Sequence, residues 1–377
     1  MVLVDRANYG RLYPVMEQIA ASPRLRLQTL ISGTMSLARF GNASRLLERD
    51  GFAIDGRIEM ELEGDSPSTM ARSLGLGVMG FTTELERLKP DIVVLIGDRY
   101  EAFSAAISAA YLNMCIVHFQ GGEVSGSIDE SARHAITKLA HYHVPATERA
   151  KEFLLRMGER SETILGVGCP SADIASKLEP GELNVGRESM KANVPFSLDR
   201  PYVLACYHPN TTRFGREEQD FTNYVEAVLA AVHPTVFITP NIDAGSERFS
   251  KILQGLLKAP GCERVNLISN LPPLEYLAVL RNASCAVGNS SSFIRDGSFF
   301  GTPIVMVGDR QNLREVADNV VFVPPKRMEI SEAMHRQIAR GPFPPSHLYG
   351  RSGISQQVVE RLIDIELYAQ KRLGYLD

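Results

Sequence analysis

The chain has no tryptophan, and its aromatic residues make up only 7% of 377. A stacking platform for sugars or bases, which needs exposed rings, is therefore a poor fit. Its five cysteines, Cys115, Cys169, Cys206, Cys262 and Cys285, are odd in number, scattered and never spaced Cys-x-x-Cys. That argues against a zinc ribbon or a disulfide frame and points to a reducing cytoplasm. No apolar run approaches the ~20 residues a membrane-spanning helix needs, and no secretory leader is expected ahead of the first strand-like segment. Charge of one sign is also missing. Against 44 Asp and Glu stand 40 Lys and Arg, a net charge of −4, which gives no electrostatic footprint for nucleic acid.

Two phosphate-binding signatures are absent as well. No Gly-x-Gly-x-x-Gly follows the first strand-like segment, and the P-loop pattern Gly-x-x-x-x-Gly-Lys-Ser/Thr does not occur. Dinucleotide binding and P-loop hydrolysis are thereby disfavoured. The one literal Gly-x-Gly-x-x-Gly, at Gly75, Gly77 and Gly80, lies inside a helical pattern and reads as a close helix-packing surface.

What is present is a 44% hydrophobic chain long enough for two domains, each of about 150–200 residues. Short apolar runs at 1–4, 25–31, 92–96, 116–119, 143–144 and 163–167 alternate with helical patterns at 13–21, 68–88, 102–112, 128–139 and 146–157. The second half repeats this grammar, with strands at 202–206, 236–239, 265–268, 285–287, 304–307 and 320–323 and helices at 221–231, 249–257, 273–281 and 293–300. Few polar residues interrupt these strands, as expected for a parallel sheet covered on both faces. The class is α/β: two doubly wound, Rossmann-like domains facing a cleft at the carboxyl ends of their strands. The expected boundaries are 1–168 and 169–355, with a polar connection over 176–200 and a closing segment 356–377 whose helix, 356–373, packs back on the first domain.

Chemistry concentrates at strand ends. Gly97-Asp98-Arg99-Tyr100-Glu101 follows one buried strand; there Asp98 reads equally as a helix N-cap or as a functional carboxylate. The run from Gly121 through Glu123, Asp129 and Glu130 to Arg133 and His134 is rich in glycine and carboxylate, as a ligand-wrapping loop would be. Lys138 and His141 continue one face of its helix. In the second half, Tyr207-His208-Pro209 and Pro240-Asn241-Ile242-Asp243 follow strands, and Gly288-Asn289-Ser290-Ser291-Ser292 opens a helix. Serine hydroxyls and free N–H groups at a helix N-terminus suit a diphosphate, and Gly308-Asp309-Arg310-Gln311 adds a cation.

Together these motifs resemble the hydrolysing UDP-N-acetylglucosamine 2-epimerases, the sialic- and legionaminic-acid branch of the UDP-GlcNAc 2-epimerase superfamily. The likeness runs over nearly the whole chain, from Arg6-Ala7-Asn8-Tyr9-Gly10-Arg11 to the Arg310 segment, and is most specific in Arg133-His134-Ala135-Ile136-Thr137-Lys138-Leu139-Ala140-His141. It implies a GT-B fold, a homodimer or homotetramer, and chemistry with neither metal nor NAD. UDP is eliminated to leave a 2-acetamidoglucal, which water converts to the free 2-epimeric sugar. The resemblance assigns Asp98 and Asp129 to acid/base work and His208 to the diphosphate. It gives Arg6, Arg99, Asn241, Ser290, Ser291, Asp296 and Arg310 to substrate or UDP binding, with Asp296 standing for the family's ribose-binding glutamate.

Three departures stand out. The family's carboxylate before Gly-Gly is replaced by Gln120, which takes up no proton at neutral pH. The loop Gly33-Thr34-Met35 lacks a histidine, and Val4-Asp5-Arg6 replaces Gly-Thr-Arg, so the native start lies upstream or the first strand is short. Two readings follow from Gln120: an epimerase in which Glu123 or Asp98 removes the C2 proton, or a UDP-sugar hydrolase that leaves C2 uninverted. Apart from Gln120, a GT-B glycosyltransferase is a further alternative, which the compact acidic loop Gly121–Glu130 argues against, and a non-catalytic UDP-sugar sensor is the last.

Overall fold

A computed structural model describes residues 1–37, 43–64, 66–179, 200–210, 212, 214–215, 217–231, 233–239, 245–258, 262, 264–268, 271–372 and 374–375. The first half opens with β1 (Val2–Leu3) and α1 (Arg6–Ala21), followed by β2 (Leu30–Ile31), α2 (Ser44–Arg49) and β3 (Gly56–Arg57). Asp5 caps α1 by accepting the Asn8 N–H at 2.6 Å, which satisfies one orphan donor of the first turn. Next come α3 (Pro67–Leu88), β4 (Ile92–Ile96), α4 (Tyr100–Tyr111), β5 (Cys115–Phe119), α5 (Asp129–Leu139), β6 (Tyr142–Val144), α6 (Glu148–Arg156) and α7 (Ser171–Ala175). Hydrogen bonding gives two parallel three-stranded sheets, β1-β2-β3 and β4-β5-β6.

Period-2 alternation sorts the strand side chains into two cores. Leu3, Ile31, Val94, Ile96 and Val117 pack into one layer with α1. Val2, Leu30, Val93, Leu95 and Ile116 pack into the other with Phe81 of α3 and Ala105 of α4. Two of the three glycines of α3 face neighbours: a Cβ on Gly77 would lie 2.7 Å from Met60 Cε and from Ser104 Oγ of α4, and one on Gly80 would lie 2.6 Å from Ile58 Cγ2. Gly75 faces open space and contributes nothing to that packing.

In the second half β7 (Val203–Cys206), α8 (Glu218–Leu229), β8 (Thr235–Ile238), α9 (Ser246–Leu256), β9 (Val265–Ile268) and α10 (Pro273–Asn282) lead to β10 (Cys285–Gly288), α11 (Ser291–Ser298), β11 (Ile304–Val307), β12 (Val320–Val323) and α12 (Arg327–Arg340). All six strands are parallel, in the order β12-β11-β10-β7-β8-β9. Chain progression reverses between β7 and β10, so a crevice opens outside their carboxyl ends.

Some expectations need correction. Residues 163–167 form no strand; a 3₁₀ turn, Ser161–Thr163, leads to a single bridge between Ile164 and His143. The last helix, α13, is Ile354–Leu362 and stops well short of 373. Its Ile354, Val358, Val359 and Leu362 join the α1 layer of the first half. The strand expected over 25–31 pairs only at Leu30–Ile31, and β3, α2, α7 and α12 went unread, being too short or too polar to show a clear period.

Beyond α13 the chain is held by polar contacts rather than helix. Tyr142 Oη donates to the Glu366 carbonyl at 2.7 Å, and His141 Nε2 meets the Ala369 carbonyl at 3.0 Å. Lys371 reaches buried Glu159 at 2.5 Å, where Lys138 and His143 also bind, at 2.7 and 2.9 Å. Burial alone would raise the Glu159 carboxyl, but the hydrogen bond and charge of His143, the charge of Lys371 and the Lys138 hydrogen bond outweigh it and bring it down to about 2. A depressed carboxylate adds stability that is present above its unfolded value of 4.5 and is lost as pH falls toward 2. Glu159→Gln is therefore expected to lower stability by about 3 kcal/mol at pH 7, and the deficit should shrink in urea titrations run at progressively lower pH.

Candidate active site

The crevice is a cavity of about 1190 Å³ of non-atom space, counting the solvent at its mouth, between the two halves. Each wall is built from strand ends. From the first half come Arg6 at the start of α1, Asp98 and Arg99 after β4, Gln120 after β5, and Asp129 in the first turn of α5. From the second half come His208 after β7, Ser290, Ser291 and Asp296 around the start of α11, and Arg310 after β11. Leu271, Pro273, Tyr276 and Leu277 make one end apolar. Asn241 lies outside the described residues.

The switch point is pinned by Asn289. Its Oδ1 accepts the His208 N–H at 2.7 Å and its Nδ2 donates to the His208 carbonyl at 2.8 Å. Gln311 and Arg310 donate to the Asn289 carbonyl at 3.0 and 3.4 Å. Ser290 is the N-cap residue of α11, yet its hydroxyl pairs with Ser292 at 2.9 Å instead of capping. Ser290, Ser291 and Ser292 at the opening of α11 line the cavity together with Arg310, an arrangement suited to an anion. His208 is only 6% exposed. Burial, then the charges of Arg310, Arg6 and Arg99, hold its imidazole well below the usual histidine range, so it enters as a neutral hydrogen-bonding group.

Across the cavity Asp98 does not cap α4, whose N-cap residue is Arg99. It pairs with Arg133 of α5 instead. Burial alone would raise the Asp98 carboxyl, but Arg133, Arg314 and Arg295 outweigh it and keep it well below the usual carboxylate range. Asp98 is therefore a base or acceptor and not a proton donor. Asp129 accepts from Ser127 Oγ at 2.7 Å and stands 3.5 Å from Arg310 of the opposite half. Arg99 is gripped by buried Glu101 through contacts of 2.8 to 3.1 Å. Arg6 donates to the Thr239 carbonyl of the other half at 2.8 Å.

A family model described as UDP-N-acetylglucosamine 2-epimerase matches residues 17–363. The chain belongs to that family. A hydrolysing UDP-N,N'-diacetylbacillosamine 2-epimerase of Legionella pneumophila is 34% identical over 365 residues, covering 97% of this chain and 95% of that protein. A UDP-N-acetylglucosamine 2-epimerase of Neisseria meningitidis is 28% identical, with coverages of 96% and 92%. Among solved structures, UDP-GlcNAc 2-epimerases of N. meningitidis bound to UDP-GlcNAc and of Methanocaldococcus jannaschii bound to UDP-GlcNAc and UDP both superpose with a TM-score of 0.77 at 18% identity. They cover 97% and 96% of this chain and 99% and 98% of their own. The fold is of the GT-B type.

Within this epimerase-family cleft one expectation is corrected. Glu123 does not line the cavity. Its carboxylate is buried between Arg295 and Arg314 of the second half, and Arg133 donates to its carbonyl at 2.8 Å. A carboxylate consumed by two guanidinium groups has no lone pair turned toward a sugar. It ties the halves together, and the loop that carries it continues the seam: Gly126 N donates to the Arg310 carbonyl at 3.0 Å, where a Cβ would collide with the Asp309 carbonyl. His134, Lys138 and His141 also point elsewhere; they bind Glu130, Glu159 and backbone.

Sequence reasoning passed over Arg11 and Arg295, which both line the cavity. Arg11 stands four residues beyond Ala7 and three beyond Asn8, which both line the cavity, and this same-face spacing on the opening turns of α1 is the signal that would have found it. Removing one partner of a buried ion pair leaves uncompensated charge. Glu123→Gln is expected to cost about 3 to 5 kcal/mol in chemical denaturation, while leaving the pH dependence of any residual turnover unchanged.

Proposed function

We propose that this chain is a hydrolysing UDP-sugar 2-epimerase acting on a UDP-linked 2-acetamido sugar. The observation that carries the reading is the division of labour across the cleft: carboxylates Asp98 and Asp129 on one wall, and His208, Arg310 and the α11 N-terminus on the other. Two relatives are named for UDP-N,N'-diacetylbacillosamine, so a 2,4-diacetamido sugar is a candidate substrate alongside UDP-GlcNAc.

In this reading the diphosphate lies at the α11 N-terminus, with Arg310, Arg6 and Arg99 supplying charge and neutral His208 a hydrogen bond. The Asp296 carboxylate takes the ribose hydroxyls. Asp98, held ionised by its arginines, accepts the C2 proton. As that C–H bond breaks, C1 and C2 form a double bond, and the anomeric C–O bond breaks with its electron pair leaving on UDP. Water then delivers hydroxyl to C1 while a proton returns to the opposite face of C2, with Asp129 serving as the acid/base group. The free sugar emerges inverted at C2.

Gln120 favours a second reading. It lines the cavity, only 2% exposed, and cannot exchange a proton. If the proton abstraction of this reaction needs a carboxylate at that position, UDP is still released but the sugar keeps its configuration. A glycosyltransferase is less well supported, because the Gly126 seam against Asp309 and Arg310 closes space an acceptor would need.

Turnover of UDP-GlcNAc or UDP-N,N'-diacetylbacillosamine in D₂O separates these readings by NMR of the product. The epimerase reading expects free sugar inverted and deuterated at C2; the hydrolase reading expects neither change, and then Gln120→Glu should introduce both. Asp98→Asn and Asp129→Asn are each expected to lower turnover by about 10²-fold or more, and an unchanged rate in either would remove that residue from the mechanism.

A further inference from the structure

Resting on that reading, a chain of four buried side chains joins Gln120 of the first half to Asp296 of the second. Ser171 Oγ donates to Asp296 Oδ1 at 2.7 Å. Cys169 Sγ lies 3.0 Å from Ser171 Oγ, and Gln120 Nε2 lies 3.4 Å from Cys169 Sγ. Gln120, Ser171 and Asp296 line the cavity, while Cys169 is fully buried behind them. None of the four is more than 4% exposed.

The hydrogen-bond polarity of this chain follows from elementary bookkeeping. The Asp296 carboxylate only accepts, so the single proton of Ser171 goes to it. Ser171 Oγ can then only accept along the chain, and it takes the S–H of Cys169. The sulfur is left with lone pairs, so the group Gln120 turns toward it is the amide NH₂. That orientation leaves the other end of the amide, the Oε1 carbonyl, as the group Gln120 offers to the cleft.

We propose that Gln120 is a sugar-recognition residue whose carbonyl, fixed by the Cys169–Ser171–Asp296 chain, accepts an N–H of an acetamido substituent on the bound sugar. Free to turn, an amide presents either its donor or its acceptor end; with an N–H committed to Cys169 Sγ, the carbonyl end is the one turned to the cleft. An acetamido N–H is donor-only and finds its match there. The position thus serves selection of N-acetylated sugars instead of proton transfer. Gln120 also sits at φ 64°, a left-handed backbone unusual for a non-glycine residue. Cys169 and Ser171 are positioning residues and touch no substrate.

The test compares affinities for UDP and for the analogue of UDP-GlcNAc with CH₂ in place of the anomeric oxygen, which cannot lose UDP, by titration calorimetry. The ratio of the two affinities isolates the sugar contribution. In Cys169→Ala and in Gln120→Leu that ratio is expected to fall about ten-fold, the scale of one hydrogen bond, with UDP affinity retained. Cys169→Ser, which restores a donor and an acceptor at the same place, should return the ratio to within two-fold of wild type. Equal ratios in wild type, Cys169→Ala and Gln120→Leu overturn the proposal, as does a Cys169→Ser variant no better than Cys169→Ala. Absence of UDP binding by the wild-type protein instead overturns the functional reading beneath it.

Discussion

The cleft depends on one constraint: the carboxylates of one half must be matched by guanidinium groups of the other. Glu123 reaches across to Arg295 and Arg314, Asp129 faces Arg310, and Arg6 reaches back to Thr239. Pairs as buried as Glu123 with its two arginines contribute little net stability, but breaking one is costly. They set the distance between the walls and leave the site electrostatically poised. An acidic chain with net charge −4 can thereby offer a diphosphate a local cluster of cations.

The same pairing sorts protonation states. Asp98, flanked by Arg133, Arg314 and Arg295, stays ionised. His208, buried among Arg310, Arg6 and Arg99, stays neutral. Two groups that titrate near neutrality or in acid elsewhere are fixed here by their surroundings, so their chemical roles are set before any ligand arrives. Asp296 is pulled the other way: burial raises it, while Arg11 and Ser171 oppose the rise.

Much of this was legible in the sequence, for physical reasons. Strands buried on both faces, such as 92–96, 265–268 and 304–307, announce themselves by continuous apolar runs. Strand-end polar clusters announced nearly every residue of the cleft. Three things escaped. The two-residue strand β3 carries too little pattern, and α12 is too polar on its outer face to stand out. The true partner of Glu123 lies 172 residues away, beyond any local rule, so a carboxylate in a glycine-rich loop read as catalytic when it is a cross-brace. The family motif identifies Gln120 as a departure, but only the packing of Cys169 and Ser171 shows what that amide is held against.

The central claim is that the second half grips a diphosphate at the switch point between β7 and β10. A crystal structure of the protein with UDP tests it most directly. The account predicts the β-phosphate within hydrogen-bonding distance of the backbone N–H groups that open α11 and of Arg310, with His208 alongside and the ribose at Asp296. Density for the diphosphate elsewhere in the cavity, with the α11 N-terminus and Arg310 untouched, would contradict it.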